Sequence, residues 1–318
     1  MEHIVANLLQ DFERGKLTRR HMLQCLAMAG AAASCFAQTT EQSAPSAAAP
    51  APHAGGKGFQ AISIDHVSYL VEDYHKTADF YADLLGLKPY NDTGRAVNLL
   101  LGDDDTYMVI RNATANTPRV DHVCYKIAKW DTAAVEAELK GRGLTLRPVS
   151  DNPQSFMVKD INGYGLQISG EGFLPTAATQ PAKPAPDAAK SKGFQAVSIE
   201  HVSYLVEDYR KTADFYADLL GLTPYHDTGA AIDLLLADKN SYLKIGNAPA
   251  NTPSCDHIAF KIAKWDTSAV EDELKRRNLA PQAVSDNPQS FMVKDVNGYG
   301  LQISGRGAVP ATAPARKK

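Results

Sequence analysis

The sequence is poor in cysteine, has no marked excess of either charge and carries no apolar run long enough to cross a bilayer. Each absence excludes something. Of the four cysteines, Cys25 and Cys35 fall in the first forty residues, and Cys124 and Cys255 occupy non-equivalent places in the repeat described below. No disulfide framework is therefore expected, although an oxidising compartment would permit a bridge. Cys124 and Cys255 read as small core residues, and no thiol site is implied. A formal net charge of -3 and a pI near 6.3 exclude a basic nucleic-acid surface or a polybasic membrane patch. The expected partner is a small molecule. The apolar stretch Leu26–Ala33 falls well short of the ~20 residues that span a membrane.

That stretch has a different meaning. Thr18-Arg19-Arg20-His21-Met22-Leu23 puts two arginines before it, and a Ser/Pro/Ala-rich segment follows. Charged, then apolar, then small residues is the order of a cleaved export signal, and the Arg pair is of the twin-arginine type. Residues 1–37 are therefore expected to be removed, leaving a periplasmic or otherwise exported protein with no membrane attachment. Residues 38–57 read as a disordered linker, residues 173–192 as a second, Pro/Ala-rich one, and residues 308–318 as a tail.

What remains is a duplication. Residues 58–172 align with 193–307 at a constant offset of 135, without a gap, and 84 of the 115 positions are identical. A unit of this length can bury a core of its own, so each copy is expected to be a domain and to fold alone. Within one copy, Ile64–Val71 alternates as a strand, with Ile64, His66, Ser68 and Leu70 assigned to one face. Tyr74–Leu85 has helical spacing and stops at Gly86. Val97–Leu101 and Tyr107–Ile110 are strands around the turn Asp103–Asp105. The order then recurs, with strand Val120–Ile127, a helix from Thr132 capped by Asp131, and strands Ser155–Lys159 and Tyr164–Ser169. Each copy is β-α-β-β-β performed twice.

On Ile64-Asp65-His66-Val67, on Asp79 to Leu87, on Val120-Asp121-His122-Val123 and on the hairpin Val158 to Ile168, both copies resemble the vicinal oxygen chelate superfamily. That superfamily comprises glyoxalases, bleomycin-resistance proteins and extradiol dioxygenases. The resemblance spans about 230 of the 318 residues. It implies an α+β fold of two tandem vicinal-oxygen-chelate domains, each with two paired βαβββ modules forming a cup-shaped sheet. It also implies metal ligands on the first strand of each module and on the last strand. Those positions hold His66, His122 and Gln167 in the first copy, and His201, His257 and Gln302 in the second. A fourth family position falls on Tyr107–Ile110, where Met108 and Ile110 are no ligands. Three ligands point to a site like that of the dioxygenases and to a divalent ion, Fe(II) ahead of Mn(II) or Zn(II). Gln in place of the usual Glu keeps an oxygen donor but removes a charge, which weakens the hold on a cation.

Other residues have candidate roles. Ser68 and Lys126, with Ser203 and Lys261, share faces with the histidines and could bind substrate or serve as acid–base groups, or Lys126 could end its strand in solvent. Tyr90 and Tyr225 could cover the cup as lid or proton donor, or simply pack. Trp130-Asp131 and Trp265-Asp266 read as structural. Two functions stay open: a metal-dependent enzyme acting on a small oxygen-chelating substrate, dioxygenase ahead of glyoxalase-like lyase or isomerase, and a metal-free small-molecule binding protein of the sequestering, resistance type. The retained histidines argue for the first, the glutamines for the second.

Overall fold

A computed structural model describes residues 58–102, 106–150, 152–170, 193–248 and 254–305. The expected signal, both linkers, the tail and the Asp103–Asp105 turn lie outside the described residues.

The first copy runs β1 (Ala61–Val71), α1 (Tyr74–Leu85), β2 (Lys88–Asp92), β3 (Ala96–Leu100) and β4 (Tyr107–Asn112). It continues with β5 (Arg119–Ile127), α2 (Thr132–Gly141), β6 (Arg147–Val149), β7 (Asn152–Lys159) and β8 (Gly165–Ser169). The second copy repeats this as β9 (Ala196–Val206), α3 (Tyr209–Leu220), β10 (Thr223–Asp227), β11 (Ala231–Leu235) and β12 (Tyr242–Asn247). It then has β13 (Ser254–Ile262), α4 (Thr267–Arg276), β14 (Gln282–Val284), β15 (Asn287–Lys294) and β16 (Gly300–Ser304). Helix α1 starts where the Asp73 carboxylate accepts the Lys76 N–H at 3.0 Å and stops at Gly86, which adopts φ 67°. The edge strands β2 and β6 carry no apolar alternation; half-exposed Lys, Pro, Asn and Arg residues mask them in the sequence.

Each copy forms its own curled eight-stranded sheet, in the order β2-β3-β4-β1-β5-β8-β7-β6 for the first. The first strands of the two modules, β1 and β5, pair antiparallel at the centre, and each has a parallel partner on its other side, β4 and β8. The cups therefore form within copies, not across them.

The central pairing is interrupted three times, once between Ala61 and Ser63 and twice beside the histidines, and these last two matter. Between Ile64 and His66 the partner advances only from Tyr125 to Cys124, and between Ser68 and Tyr69 it advances from His122 to Val120. The extra residues are Asp65 and Asp121. Such bulges let two successive side chains lie on one side of a sheet. Strict alternation therefore fails at Asp65: Ile64 belongs to the apolar core with Val67, Tyr69 and Val71, not to the face of His66.

The core is one body. A single cluster of buried apolar residues runs through both copies. Tyr81 of α1 packs against Phe260 of β13, and Tyr216 of α3 against Tyr125 of β5. The buried Asp295 carboxylate accepts the Tyr69 hydroxyl at 2.7 Å and the Tyr81 hydroxyl at 3.2 Å, and Asp160 accepts Tyr216 at 2.9 Å. Each copy thus supplies the carboxylate that satisfies the other's buried phenols.

Candidate metal centre

The two bulges build the site. His66 on β1 and His122 on β5 meet with Nε2 atoms 3.2 Å apart; His201 and His257 do the same at 2.9 Å. Three of these four rings are backed by the acidic residue before them. Asp65 lies 3.0 Å from His66 Nδ1, Asp121 2.9 Å from His122 Nδ1, and Asp256 2.7 Å from His257 Nδ1. A carboxylate can only accept, so it holds the proton on Nδ1 and leaves Nε2 as a bare lone pair. The hydrogen bond from His122 holds the Asp121 carboxyl below its usual range, and that from His257 does the same for Asp256.

The first cup therefore presents two lone pairs facing each other at contact distance. A proton shared between them would relieve the repulsion, but burial opposes the charge. It pushes His122 down to about 4, and His201 well below its ordinary value. A divalent ion relieves it instead. Two nitrogens each about 2.1 Å from one ion and at a right angle to each other lie about 3.0 Å apart, so both separations suit a shared ion. The paired imidazoles, backed by carboxylates, fit the group that the fold implies.

Gln167 sits beside Cys124 across β5–β8, with its Nε2 donating to Ser155 Oγ at 2.9 Å. That leaves its amide oxygen as the candidate third donor, an uncharged one. Gln302 and Ser290 hold the same places on β16 and β15, both buried. Gly165 makes this approach possible: a Cβ there would fall 2.4 Å from the Asp121 carbonyl and 2.7 Å from His122 Cβ. Gly300 does the same beside His257. Ligand atoms of Asp65, His66 and Cys124 also lie within 4.8 Å of one another. That second group is a poorer site, because Asp65 is engaged with the ring, Cys124 lies 3.1 Å from Ser169 Oγ, and burial holds the thiol protonated. Cys124 and Cys255 are free thiols, as expected.

The histidines open into a cavity of about 700 Å³, roomy enough for a small aromatic molecule. Ser68, Asn98, Tyr107, Arg111, Arg147 and Gln167 line it with them. The Ser68 hydroxyl is buried there without a hydrogen-bond partner among the described residues. Tyr90 lies half-buried on β2, where Asn91 forms the cavity wall, and Tyr225 is placed likewise on β10. Lys126 is buried, not in solvent, and lies close enough to Cys124 to ease ionisation of its thiol; Lys261 likewise favours the charged form of Glu200. Neither Tyr90 nor Lys126 is among the described residues lining the cavity.

Sequence reading missed Tyr107, whose ring stacks on His66 with centroids 4.6 Å apart, as Tyr242 does on His201 at 4.3 Å. Parallel register makes Tyr107 the partner of His66. It also gave no role to the acidic residue before each histidine, although all four modules carry one.

The second cup departs from the first at that residue. Glu200 replaces Asp65, and its longer chain leaves Oε2 3.5 Å from His201 Nδ1, outside a good hydrogen bond. Both atoms are buried without a partner among the described residues. Burial raises the Glu200 carboxyl to about 7, offset in part by Ser304.

Residues 63–168 match the family model of the Glyoxalase/Bleomycin resistance protein/Dioxygenase superfamily. The first copy thus matches this superfamily, and the second repeats its sequence at 84 of 115 positions. Among solved structures, homoprotocatechuate 2,3-dioxygenase from Brevibacterium fuscum, in its anaerobic complex with 3,4-dihydroxyphenylacetate, is similar at 16% identity. That match has a TM-score of 0.62 and covers 86% of this chain and 86% of that one. The 2,3-dioxygenase LapB from Pseudomonas sp. KL28 is similar at 17% identity and a TM-score of 0.62, covering 81% of this chain and 97% of that one. At these identities the likeness establishes a shared fold. No curated protein sequence matches the chain.

Proposed function

We propose that the chain is an exported, metal-dependent enzyme of dioxygenase type, acting on a small substrate whose adjacent oxygens chelate the ion. One observation carries the reading. In the first cup, paired Nε2 lone pairs face each other, with the Nδ1 protons of both rings held by carboxylates. No hydrogen bond between neutral rings satisfies that arrangement. His66, His122 and Gln167, and in the second cup His201, His257 and Gln302, would hold the ion, Fe(II) ahead of Mn(II) or Zn(II). When bound it supplies a Lewis acid that orients and polarises adjacent substrate oxygens. The protein's own part is to fix the imidazoles through Asp65 and Asp121, to wall the ligand with Tyr107, and to offer the Ser68 hydroxyl as a hydrogen-bond partner. The fold shared with the two 2,3-dioxygenases supports a dihydroxylated aromatic ring as the substrate class.

The glutamines favour a second reading, a metal-free binding protein. Titration of untagged protein with Fe(II), Mn(II) and Zn(II) separates the two. The wild type is expected to bind, and His66→Ala with His201→Ala to abolish binding in both cups without unfolding. Gln167→Glu is expected to tighten binding by at least tenfold, about 1.4 kcal/mol, because a charged donor replaces a neutral one. A wild type that takes up no ion leaves the binding-protein reading. Unchanged metal content in the double histidine variant ends the metal hypothesis.

Export rests on Arg19 and Arg20 ahead of the apolar stretch. Changing both to Lys is expected to hold the precursor in the cytoplasm, read by cell fractionation; mature protein in the periplasm would contradict the twin-arginine assignment.

A further inference from the structure

The two cups share their histidines but not their charge. On the wall of the first, Arg111 of β4 and Arg147 of β6 reach the same cavity from opposite sides of the central β1–β5 pair. Arg111 stands 3.6 Å from Asp121, a carboxylate already shared with His122 and with Arg119 at 3.9 Å. Among the described residues no carboxylate pairs with Arg147. At the matching positions the second copy has Gly246 and Gln282. There Lys244, at the position of Val109, lies 3.1 Å from Asp286 and 3.9 Å from Asp233; the first copy has Asn98 in place of Asp233 and keeps the counterpart of Asp286 as Asp151. With 84 of 115 positions identical, this loss of positive charge falls on residues at or around the cup.

We propose that the first cup is selective for an anionic ligand, a chelating ring that carries a carboxylate, and that Arg111 and Arg147 are the residues that set this preference, whereas the second cup lacks it. The inference rests on the chelating site proposed above and names its substrate class. A guanidinium pair at a cavity rim matches a carboxylate geometrically and can bind it bidentately, and a partly enclosed site strengthens the contact. In the second cup Asp233 and Asp286 already neutralise Lys244 and would repel an incoming anion.

Calorimetric titration of the Mn(II)-loaded full chain, in the absence of oxygen, with catechol and with 3,4-dihydroxybenzoate tests this. The probes differ by one carboxylate. The wild type is expected to bind 3,4-dihydroxybenzoate at least tenfold more tightly than catechol at one of its two sites, with a gap that narrows as salt rises. Arg111→Gly with Arg147→Gln copies the second cup and so uses residues this scaffold already accommodates. It should erase the preference while leaving catechol binding within about twofold; Arg147→Gln alone, at an exposed position, should erase part of it. Catechol bound with no carboxylate preference, or a preference that survives the double variant, overturns the proposal and leaves the chelating site standing. Equal weakening of both probes also overturns it. Binding of neither probe to the wild type overturns the chelating reading itself, and this inference with it.

Discussion

At the scale of single residues, the site is governed by where protons are allowed to sit. The His122 ring is surrounded by protein, faces a second imidazole at 3.2 Å and is pushed down to about 4, with burial the largest cause. Its unfolded value is 6.5, so the folded state binds this proton less readily than the unfolded chain. The stability it contributes is present above pH 6.5 and is lost as pH falls from there towards 4. Metal-free protein is therefore expected to lose about 3 kcal/mol across that window, read as a falling melting temperature. An ion on the same lone pairs competes with the proton, so loaded protein should hold its melting temperature further into acid. A metal-free melting temperature that does not fall between pH 6.5 and 4 would show that the rings are already solvated.

At the scale of elements, two bulges and one glycine per cup convert an ordinary antiparallel pairing into a candidate ligand set. The bulges at Asp65 and Asp121 bring carboxylate and imidazole to the same side of β1 and β5. Gly165 lets β8 close against β5 so that Gln167 reaches the cup. Gly165→Ala puts a methyl group 2.4 Å from a backbone carbonyl, which cannot rotate away. It should cost about 1–3 kcal/mol and push β8 off His122. Metal affinity in the first cup should fall while the second cup, with Gly300 untouched, keeps its own. Equal loss at both cups would mean that the strain spreads through the shared core instead of staying at the strand pair.

At the scale of the whole molecule, the two copies are less separable than their duplication suggests. Tyr69, Tyr81 and Tyr125 of the first copy are buried against the second, and Asp160 holds Tyr216 across the boundary. A fragment of residues 58–172 would expose those rings and lose the carboxylate partner of Tyr69 and Tyr81. It is expected to melt well below the full chain, or to pair with itself by using Asp160 in place of Asp295. Analytical ultracentrifugation with thermal melts distinguishes these results from a fragment that is monomeric and as stable as the whole, which would show that the shared core adds nothing.

Much of this was legible in the residues. The duplication, the helix caps at Asp73 and Gly86, and the placement of His66, His122 and Gln167 on particular strands follow from spacing, because periodicity and capping are local properties. The edge strands β2 and β6 were not legible as strands, since solvent on one side removes the alternation that marks one. Alternation also misassigned Ile64, because a bulge is decided by how two strands pair and leaves no period in either. The sequence alone determined the duplication and, through the family resemblance, that His66 and His122 are candidate ligands and that Gln stands where a carboxylate is usual. Only the tertiary structure decided that each cup closes within one copy and that acid and imidazole share a side. It alone brought Arg111 and Arg147 to one cavity and joined both copies around one core. These are contacts between segments far apart in the chain, set by register and curvature.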